Sequence, residues 1–223
     1  MRQLPLAIVA APSQGLDSFV IGQNAALLGL IGATPPLTSP LYLWGGEGSG
    51  KTHLLCGLAQ QWQAGGALVS WFDASQALPW AMPSGCALLL LDDCDRLDAQ
   101  QQHAAFTLLL EAVDQGVPWA AAGRVPPVDL ALRNDLRSRL GWGMVFSVMP
   151  LDEAQTRAVL RRESDRRGVF LSDEVMDYLL TRFDRNLKGL MHLLVRLDDF
   201  ALSEQRTLTV PLLKKMLVER QPA

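Results

Sequence analysis

Between Leu41 and Val148 the chain alternates short apolar runs with longer amphipathic stretches. The apolar runs predict buried β-strands at 41–44, 67–72, 86–91, 117–122 and 144–148. The run at 86–91 is apolar on both faces, as a central strand of a parallel sheet requires. Helical patterns cover 51–62 and 99–113. The alternation of strand and helix predicts an α/β fold with a parallel sheet and right-handed crossovers.

After Pro150 the strand pattern stops. The remaining residues predict four helices, at 152–166, 172–181, 187–202 and 210–220. The first sixteen residues mix apolar residues with Pro, Ser and Gly without any period, which is typical of a mobile tail. We therefore expect three parts: a tail (1–16), an α/β domain (17–150) and a small all-helical domain (151–223).

Charge differs between the two predicted domains. Residues 1–150 contain 7 Lys/Arg and 11 Asp/Glu, whereas residues 151–223 contain 13 and 12. The net charge of −3 argues against a chain that binds DNA by electrostatics alone. Four arginines between 161 and 167 form a basic stripe on one predicted helix. Such a stripe is usually a solvated face, and the alternative is a weak DNA contact.

Composition narrows the class of protein further. Apolar residues make up 49% and charged residues 19% of the chain, which is typical of a globular protein. The three cysteines form no CxxC pair, so neither a disulfide framework nor a cysteine-built zinc site is expected. No secretory signal follows Met1, and the longest apolar run is too short to span a bilayer. We expect a cytoplasmic protein without a membrane partner.

The segment after the first predicted strand has the pattern G-x-x-x-x-G-K-[ST]. Glycines let successive backbone N–H groups face a phosphate, and the following helix adds its positive dipole end. In this motif the lysine reaches the β and γ phosphates and the threonine hydroxyl binds Mg²⁺. The alternative is a glycine-rich turn without a ligand, which the strand–loop–helix context disfavours. The candidate nucleotide-binding residues are Gly45, Gly46, Gly48, Ser49, Gly50, Lys51, Thr52 and His53.

Two adjacent carboxylates follow the buried strand at 86–91. An acid at the carboxyl end of such a strand belongs where Mg²⁺ lies in a phosphate-loop protein. We expect Asp92 to contact the metal, through water, and Asp93 to polarise an attacking water. The alternative is that both acids cap the next helix.

The two acids, the segment from Asp135 to Gly143 and a short helical domain after Pro150 together resemble an AAA+ ATPase. The stretch LRSRLGWG within that segment is similar to the arginine-finger box of DnaA-type replication initiators. The resemblance covers about residues 17–220. Two parts of a full initiator are expected to be missing: the C-terminal helix-turn-helix domain and the N-terminal interaction domain.

The N-terminal tail also carries a resemblance. Gln3, Leu4 and Leu6 are similar to a sliding-clamp-binding peptide, in which a glutamine and spaced leucines fill an apolar pocket. The alternative is an ordinary apolar N-terminus. Joined to a truncated DnaA-like body, the tail resembles the Hda family. This implies a regulator that, with the DNA-loaded clamp, promotes hydrolysis of initiator-bound ATP and prevents re-initiation.

The resemblance implies roles for individual residues. Arg139 matches the arginine finger, which acts in trans on the initiator's ATP; the alternative is a surface salt bridge. Phe19 and Val20 match the lining of the adenine pocket, or are plain core. Sensor 2 matches Lys188, with Arg185 one turn away. ADP or ATP with Mg²⁺ is the implied cofactor, and a homo-oligomer is possible in this class.

The match also has departures. Sensor 1 is a polar side chain at the end of the fourth strand, but the aligned stretch is Ala121-Ala122-Gly123 and Arg124 lies one residue late. Lysine at sensor 2 keeps the charge but loses the bidentate fork. Both departures predict weak intrinsic ATPase activity. The alternative functions are a stand-alone AAA+ ATPase acting as a helicase loader or chaperone, and an initiator paralogue without clamp dependence.

Overall fold

A computed structural model of the chain describes residues 15–16, 19–32, 37, 39–183 and 186–218, apart from the side chain of residue 188. Contacts divide the chain into two units, one ending at Pro150 and the other containing the residues from Leu151 onward. The described part of the first unit contains α1 (Ala25–Ile31), β1 (Leu41–Trp44), α2 (Lys51–Ala64), β2 (Leu68–Phe72), β3 (Cys86–Leu91), α3 (Ala99–Asp114), β4 (Trp119–Gly123), α4 (Asn134–Leu140) and β5 (Met144–Ser147).

The α/β fold predicted from the alternating pattern is confirmed. Each predicted strand is present, and its ends differ from the prediction by at most two residues. The sequence pattern does not predict α4. Its seven residues contain two apolar positions, Leu136 and Leu140, which are too few to define a helical period. Both leucines are fully buried, so tertiary packing stabilises this short helix.

The strands form one parallel sheet in the order β2-β3-β4-β1-β5. Trp44 at the end of β1 is aligned with Gly123 of β4 and Ser147 of β5. Leu91 at the end of β3 is aligned with Ala121 of β4. The carboxyl ends of the three central strands therefore lie at one edge of the sheet, where open α/β folds bind their ligands.

Both faces of the sheet are buried, and the central strands alternate their side chains between them. Leu89 and Leu91 of β3 belong to an apolar cluster that includes residues of α3 and α4. Leu88 and Leu90 belong to a second cluster, with residues of α1 and α2. This arrangement explains why β3 is apolar at every position.

The second unit is helical and contains α5 (Glu153–Arg166), α6 (Asp173–Arg182), α7 (Leu187–Glu204) and α8 (Val210–Val218). Asp152 begins α5 with a capping box, in which its side chain accepts from Gln155 N at 2.7 Å. The Ser172 hydroxyl accepts from Val175 N at the start of α6. The four helices share one apolar cluster, which holds this unit together.

Most of the basic stripe on α5 is paired with acids inside the helical unit. Arg166 and Arg167 each lie 2.7 Å from Glu163 Oε1, and Arg161 pairs with Asp173. The two arginines beside Glu163, Arg166 most of all, hold the pKa of that carboxyl below its ordinary value. Charges neutralised in this way favour the interpretation of the stripe as a structural, solvated face over a DNA contact.

Candidate functional site

The segment from Gly45 to Thr52 follows β1 and leads directly into α2, as a phosphate loop does. A Cβ atom at Gly45 would lie 2.6 Å from the carbonyl oxygen of Val148. Gly50 has a φ of +102°, and a Cβ atom there would lie 2.7 Å from Cε2 of Phe19. Close packing therefore excludes a side chain at Gly45, and the left-handed backbone excludes one at Gly50.

Lys51 begins α2 and is buried, with 8% of the residue exposed. Its Nζ donates to the carbonyl oxygens of Gly45 at 2.8 Å and Gly46 at 2.9 Å. Burial lowers the pKa of Lys51, and the nearby carboxylates of Asp92 and Asp95 act in the opposite direction. The ammonium group therefore lies over the loop, where it can exchange the two carbonyls for charge-assisted bonds to a phosphate.

Asp92 is the first residue after β3, and its carboxylate is joined to the phosphate loop. Thr52 Oγ1 donates to Asp92 Oδ2 at 2.7 Å, and the backbone N–H of Asp93 donates to Oδ1 at 2.9 Å. Burial raises the pKa of Asp92, while the hydrogen bond from Thr52 opposes the rise. Hydroxyl and carboxylate oxygens are ligands that Mg²⁺ prefers, so this pair fits the predicted metal contact. Among the described residues, no group of three or more His, Cys, Asp or Glu side chains is arranged to hold a metal ion.

Asp93 has different surroundings from its neighbour. Its backbone is left-handed, with φ 50° and ψ 40°. Its side chain is 45% exposed and forms a loose ion pair with Arg96, with Nη1 to Oδ2 at 3.7 Å. The two adjacent acids are thus separated into a buried one at the loop and an exposed one. The role of Asp93 in polarising water stays a prediction.

Ser49 supplies an independent indication that the loop fits a phosphate. The residue is 7% exposed, and its Oγ has no hydrogen-bond partner among the described residues. A buried hydroxyl without a partner costs free energy, which a phosphate oxygen would recover by accepting from it. The buried ammonium of Lys51 and the two glycines without room for a side chain agree with the same ligand.

A second cation, Arg124, lies beside the loop, and no sequence motif assigns it there. Its Nη2 donates to Glu47 Oε2 at 2.9 Å, and its Nε lies 3.6 Å from Asp95 Oδ2. Its backbone N–H also donates to Asp95 Oδ1 at 2.9 Å. The signal in the sequence is a charged residue directly after a strand. Its meaning depends on the strand order, which places β4 next to β1.

The end of β4 has no polar side chain because another residue occupies that space. A Cβ atom at Gly123 would lie 2.1 Å from the hydroxyl oxygen of Tyr42. Tyr42 is fully buried in β1, and its hydroxyl donates to the carbonyl oxygen of Val125 at 3.2 Å. Burial raises the pKa of this phenol, which keeps it a hydrogen-bond donor. The missing sensor side chain is therefore a consequence of packing.

Phe19 borders the phosphate loop, through its contact with Gly50, and also packs on the apolar cluster of α2. His53 lies edge-on to the Phe19 ring with 5.5 Å between ring centres, and its Nε2 is 3.1 Å from the Gly15 carbonyl oxygen. Val20 is half-buried. The structure thus places Phe19 and His53 together beside the loop. Their roles toward a nucleotide stay predictions.

Arg139 lies in α4, one residue before the end of that helix. Its Cζ is 4.6 Å from the centre of the Trp142 ring, and no carboxylate in the described part of the chain pairs with it. Arg133 on the same segment pairs with Asp135 at 2.6 Å. The salt bridge considered as an alternative for Arg139 is thus not seen within the described residues.

Several predicted site residues lie outside the described residues: Gln3, Leu4, Leu6, Arg185 and the side chain of Lys188. The backbone of Lys188 belongs to α7. The clamp-binding and sensor 2 predictions therefore rest on the sequence.

Comparison with known proteins identifies the family. A family model described as "Hda, lid domain" matches residues 152–217, within the helical unit. An uncharacterized protein of Haemophilus influenzae is 32% identical over 227 residues, and the match covers 97% of this chain and 98% of that protein. The chain belongs to the Hda family of DnaA-related proteins.

Solved structures confirm the AAA+ fold of this Hda-family chain. Domain III of the Thermotoga maritima replication initiation protein DnaA matches with a TM-score of 0.77 and 20% identity, over 95% of this chain and 99% of that one. AMPPCP-bound DnaA from Aquifex aeolicus matches with a TM-score of 0.66 and 21% identity, over 83% of this chain and 65% of that one. No helix within the described residues has the length and apolar character needed to cross a membrane.

Proposed function

We propose that this Hda-family protein regulates the initiation of DNA replication by promoting hydrolysis of the ATP bound to a DnaA-type initiator. The observation that carries the proposal is the environment of Arg139. Its guanidinium lies over the exposed ring of Trp142 and has no carboxylate partner in the described part of the chain. Membership of the Hda family supports the class of partner.

The proposed action of Arg139 is electrostatic. A guanidinium keeps its charge at all physiological pH values and offers two parallel N–H donors to a phosphate. Supplied in trans, it stabilises the negative charge that develops on the transferred phosphoryl group. In other phosphoryl-transfer systems such an arginine is worth about 10³–10⁵ in rate, so its loss should be decisive here.

We propose that the chain's own phosphate loop holds ADP or ATP as a resident ligand. The Aquifex aeolicus DnaA in the comparison is AMPPCP-bound, which supports an adenine nucleotide. A bound nucleotide supplies the phosphates that Lys51 and Ser49 would contact, and Thr52 with Asp92 would hold Mg²⁺. Turnover of this nucleotide should be weak, because Gly123 leaves β4 without a side chain to orient water.

The test is ATP turnover by the purified chain alone, and then with a DnaA-type initiator and DNA-loaded sliding clamp. We expect negligible turnover alone and strong stimulation in the mixture. Arg139→Ala should bind nucleotide normally but fail to stimulate the initiator. Arg137→Ala is the matched control, because Arg137 lies two residues earlier in α4 and donates to Asn134 at 2.8 Å.

Two outcomes would contradict the proposal. If Arg139→Ala stimulates the initiator as well as the wild type does, Arg139 is not an arginine finger that acts in trans. Brisk turnover by the chain alone, independent of the clamp, would favour a stand-alone AAA+ ATPase such as a helicase loader or chaperone.

Docking on the sliding clamp is proposed from the sequence of the tail. Gln3→Ala combined with Leu6→Ala should abolish binding to an immobilised clamp and leave nucleotide affinity unchanged. Val9→Ala, outside the Gln3–Leu6 peptide, is the control and should bind as the wild type does. Unchanged clamp affinity in the double variant would refute this part of the proposal without touching the role of Arg139.

A further inference from the structure

Trp142 is a large apolar side chain that remains 64% exposed on the surface. Its ring lies under the guanidinium of Arg139, with 4.6 Å between Cζ and the ring centre. This is well within the distance of about 6 Å at which an indole face attracts a cation. Because most of the ring is exposed, core packing does not explain its position beside Arg139.

The turn that carries Trp142 is fixed by the backbone. A Cβ atom at Gly143 would lie 2.0 Å from the carbonyl oxygen of Pro40, so glycine is required there. Met144 N donates to the same oxygen at 2.8 Å, and Trp142 N donates to Arg139 O at 3.1 Å. The position of the indole ring relative to α4 is thus set by the end of the helix and the start of β5.

The contact uses the guanidinium in a way that a salt bridge does not. In the salt bridge of Arg133, Nε and Nη2 both donate to the Asp135 carboxylate, at 2.8 and 2.6 Å. Arg139 lies over a ring face, which attracts its charge without accepting its in-plane N–H donors. The donors therefore stay available for a phosphate, while the long side chain loses part of its conformational freedom before the partner arrives.

The surface around this pair forms a shallow depression that is largely open to solvent. Phe106, Asp135, Ser138, Arg139 and Trp142 line a depression of about 440 Å³. The guanidinium thus borders a space into which atoms of another molecule can enter.

We propose that Trp142 is a positioning residue for Arg139, which it holds in the orientation required for action in trans. The inference rests on the proposed function of Arg139 and adds a residue for which the family resemblance assigns no role. Trp142 would raise the fraction of complexes with the initiator in which the guanidinium of Arg139 is correctly placed. It would therefore raise the maximal rate at which initiator-bound ATP is hydrolysed.

The test compares Trp142→Ala, Trp142→Phe and Trp142→Leu in the stimulated ATPase assay, with titration of each variant to saturation. We expect Trp142→Ala and Trp142→Leu to lower the maximal rate roughly twofold to fivefold, the size of one cation–π contact at an exposed site. Trp142→Phe, which keeps a π face, should restore most of it. The concentration that gives half-maximal stimulation and the nucleotide affinity should stay close to wild-type values, and the melting temperature should fall by no more than about 2–4 °C, the effect of losing one such contact.

The possible outcomes separate the explanations. Full activity in Trp142→Ala, or rescue by Leu as good as by Phe, would overturn the inference. A change confined to the half-maximal concentration would show that Trp142 contributes to docking and does not position Arg139. If Arg139→Ala itself stimulates normally, the proposed function fails first. In the double variant with Arg139→Ala, the loss should equal that of Arg139→Ala alone.

Discussion

Gly123→Ala tests whether packing against Tyr42 keeps the end of β4 free of a side chain. The added Cβ atom would lie 2.1 Å from the Tyr42 hydroxyl oxygen and 3.3 Å from Cζ of the same ring. The first distance requires a shift of the ring or of the strand. Since Tyr42 is fully buried between β4 and β5, the ring has little room to move.

The expected cost follows from overpacking. Adding a methyl group to a well-packed core costs about 1–3 kcal/mol. Tyr42→Phe removes the hydroxyl and its bond to Val125 O, which costs about 0.5–1.5 kcal/mol. In the double variant the closest contact no longer exists. The two substitutions together should therefore destabilise the protein by less than the sum of their separate costs, by about 1 kcal/mol or more.

The assay is urea unfolding of the nucleotide-free protein, followed by tryptophan fluorescence, with melting temperature as a second measure. About 1 kcal/mol corresponds to a change of about 2–4 °C for a chain of this size. Gly46→Ala is the matched control, because a Cβ atom there meets nothing within 4 Å. A cost below about 0.5 kcal/mol for Gly123→Ala, or strict additivity in the double variant, would refute the reasoning.

Three further predictions concern charged groups. Lys51→Ala should weaken ADP binding, and a tenfold loss at saturating ADP would reduce the ADP-induced rise in melting temperature by about 3–6 °C; an unchanged rise would exclude Lys51 from the site. Asp92→Asn should raise the melting temperature of the nucleotide-free protein at neutral pH. Burial raises the pKa of this carboxyl, so its ionised form costs stability above the folded pKa, and the gain should vanish below about pH 3.9. The contribution of Glu163 to stability has the opposite dependence on pH. Arg166 lowers the pKa of Glu163, so the ionised carboxylate stabilises the helical unit above about pH 4.3, and this stabilisation is lost as the pH falls through the folded pKa. Glu163→Gln should flatten that acid limb of the stability curve, and an acid limb identical to that of the wild type would contradict the assignment.

The elements and the phosphate loop were accessible from the sequence because their signals are local. The run at 86–91, which is apolar on both faces, forms β3. The phosphate-loop motif follows β1 and leads into α2, as predicted. The helix start at Ser172 is likewise encoded in neighbouring residues. In each case a few consecutive positions carry the periodicity, spacing or capping preference that defines the element.

The surroundings of the loop were decided by tertiary structure. Glu47 and Arg124 are 77 positions apart and Tyr42 and Val125 are 83 apart, and they meet because the sheet places β4 next to β1. The order of strands depends on how all the helices pack on both faces, which no local pattern records. The same holds for α4, which is stabilised as a helix because its two leucines pack into the apolar cluster formed with β3 and α3. The sequence by itself thus determined the family, the loop and the strands, whereas the three-dimensional packing decided which charges and rings surround them.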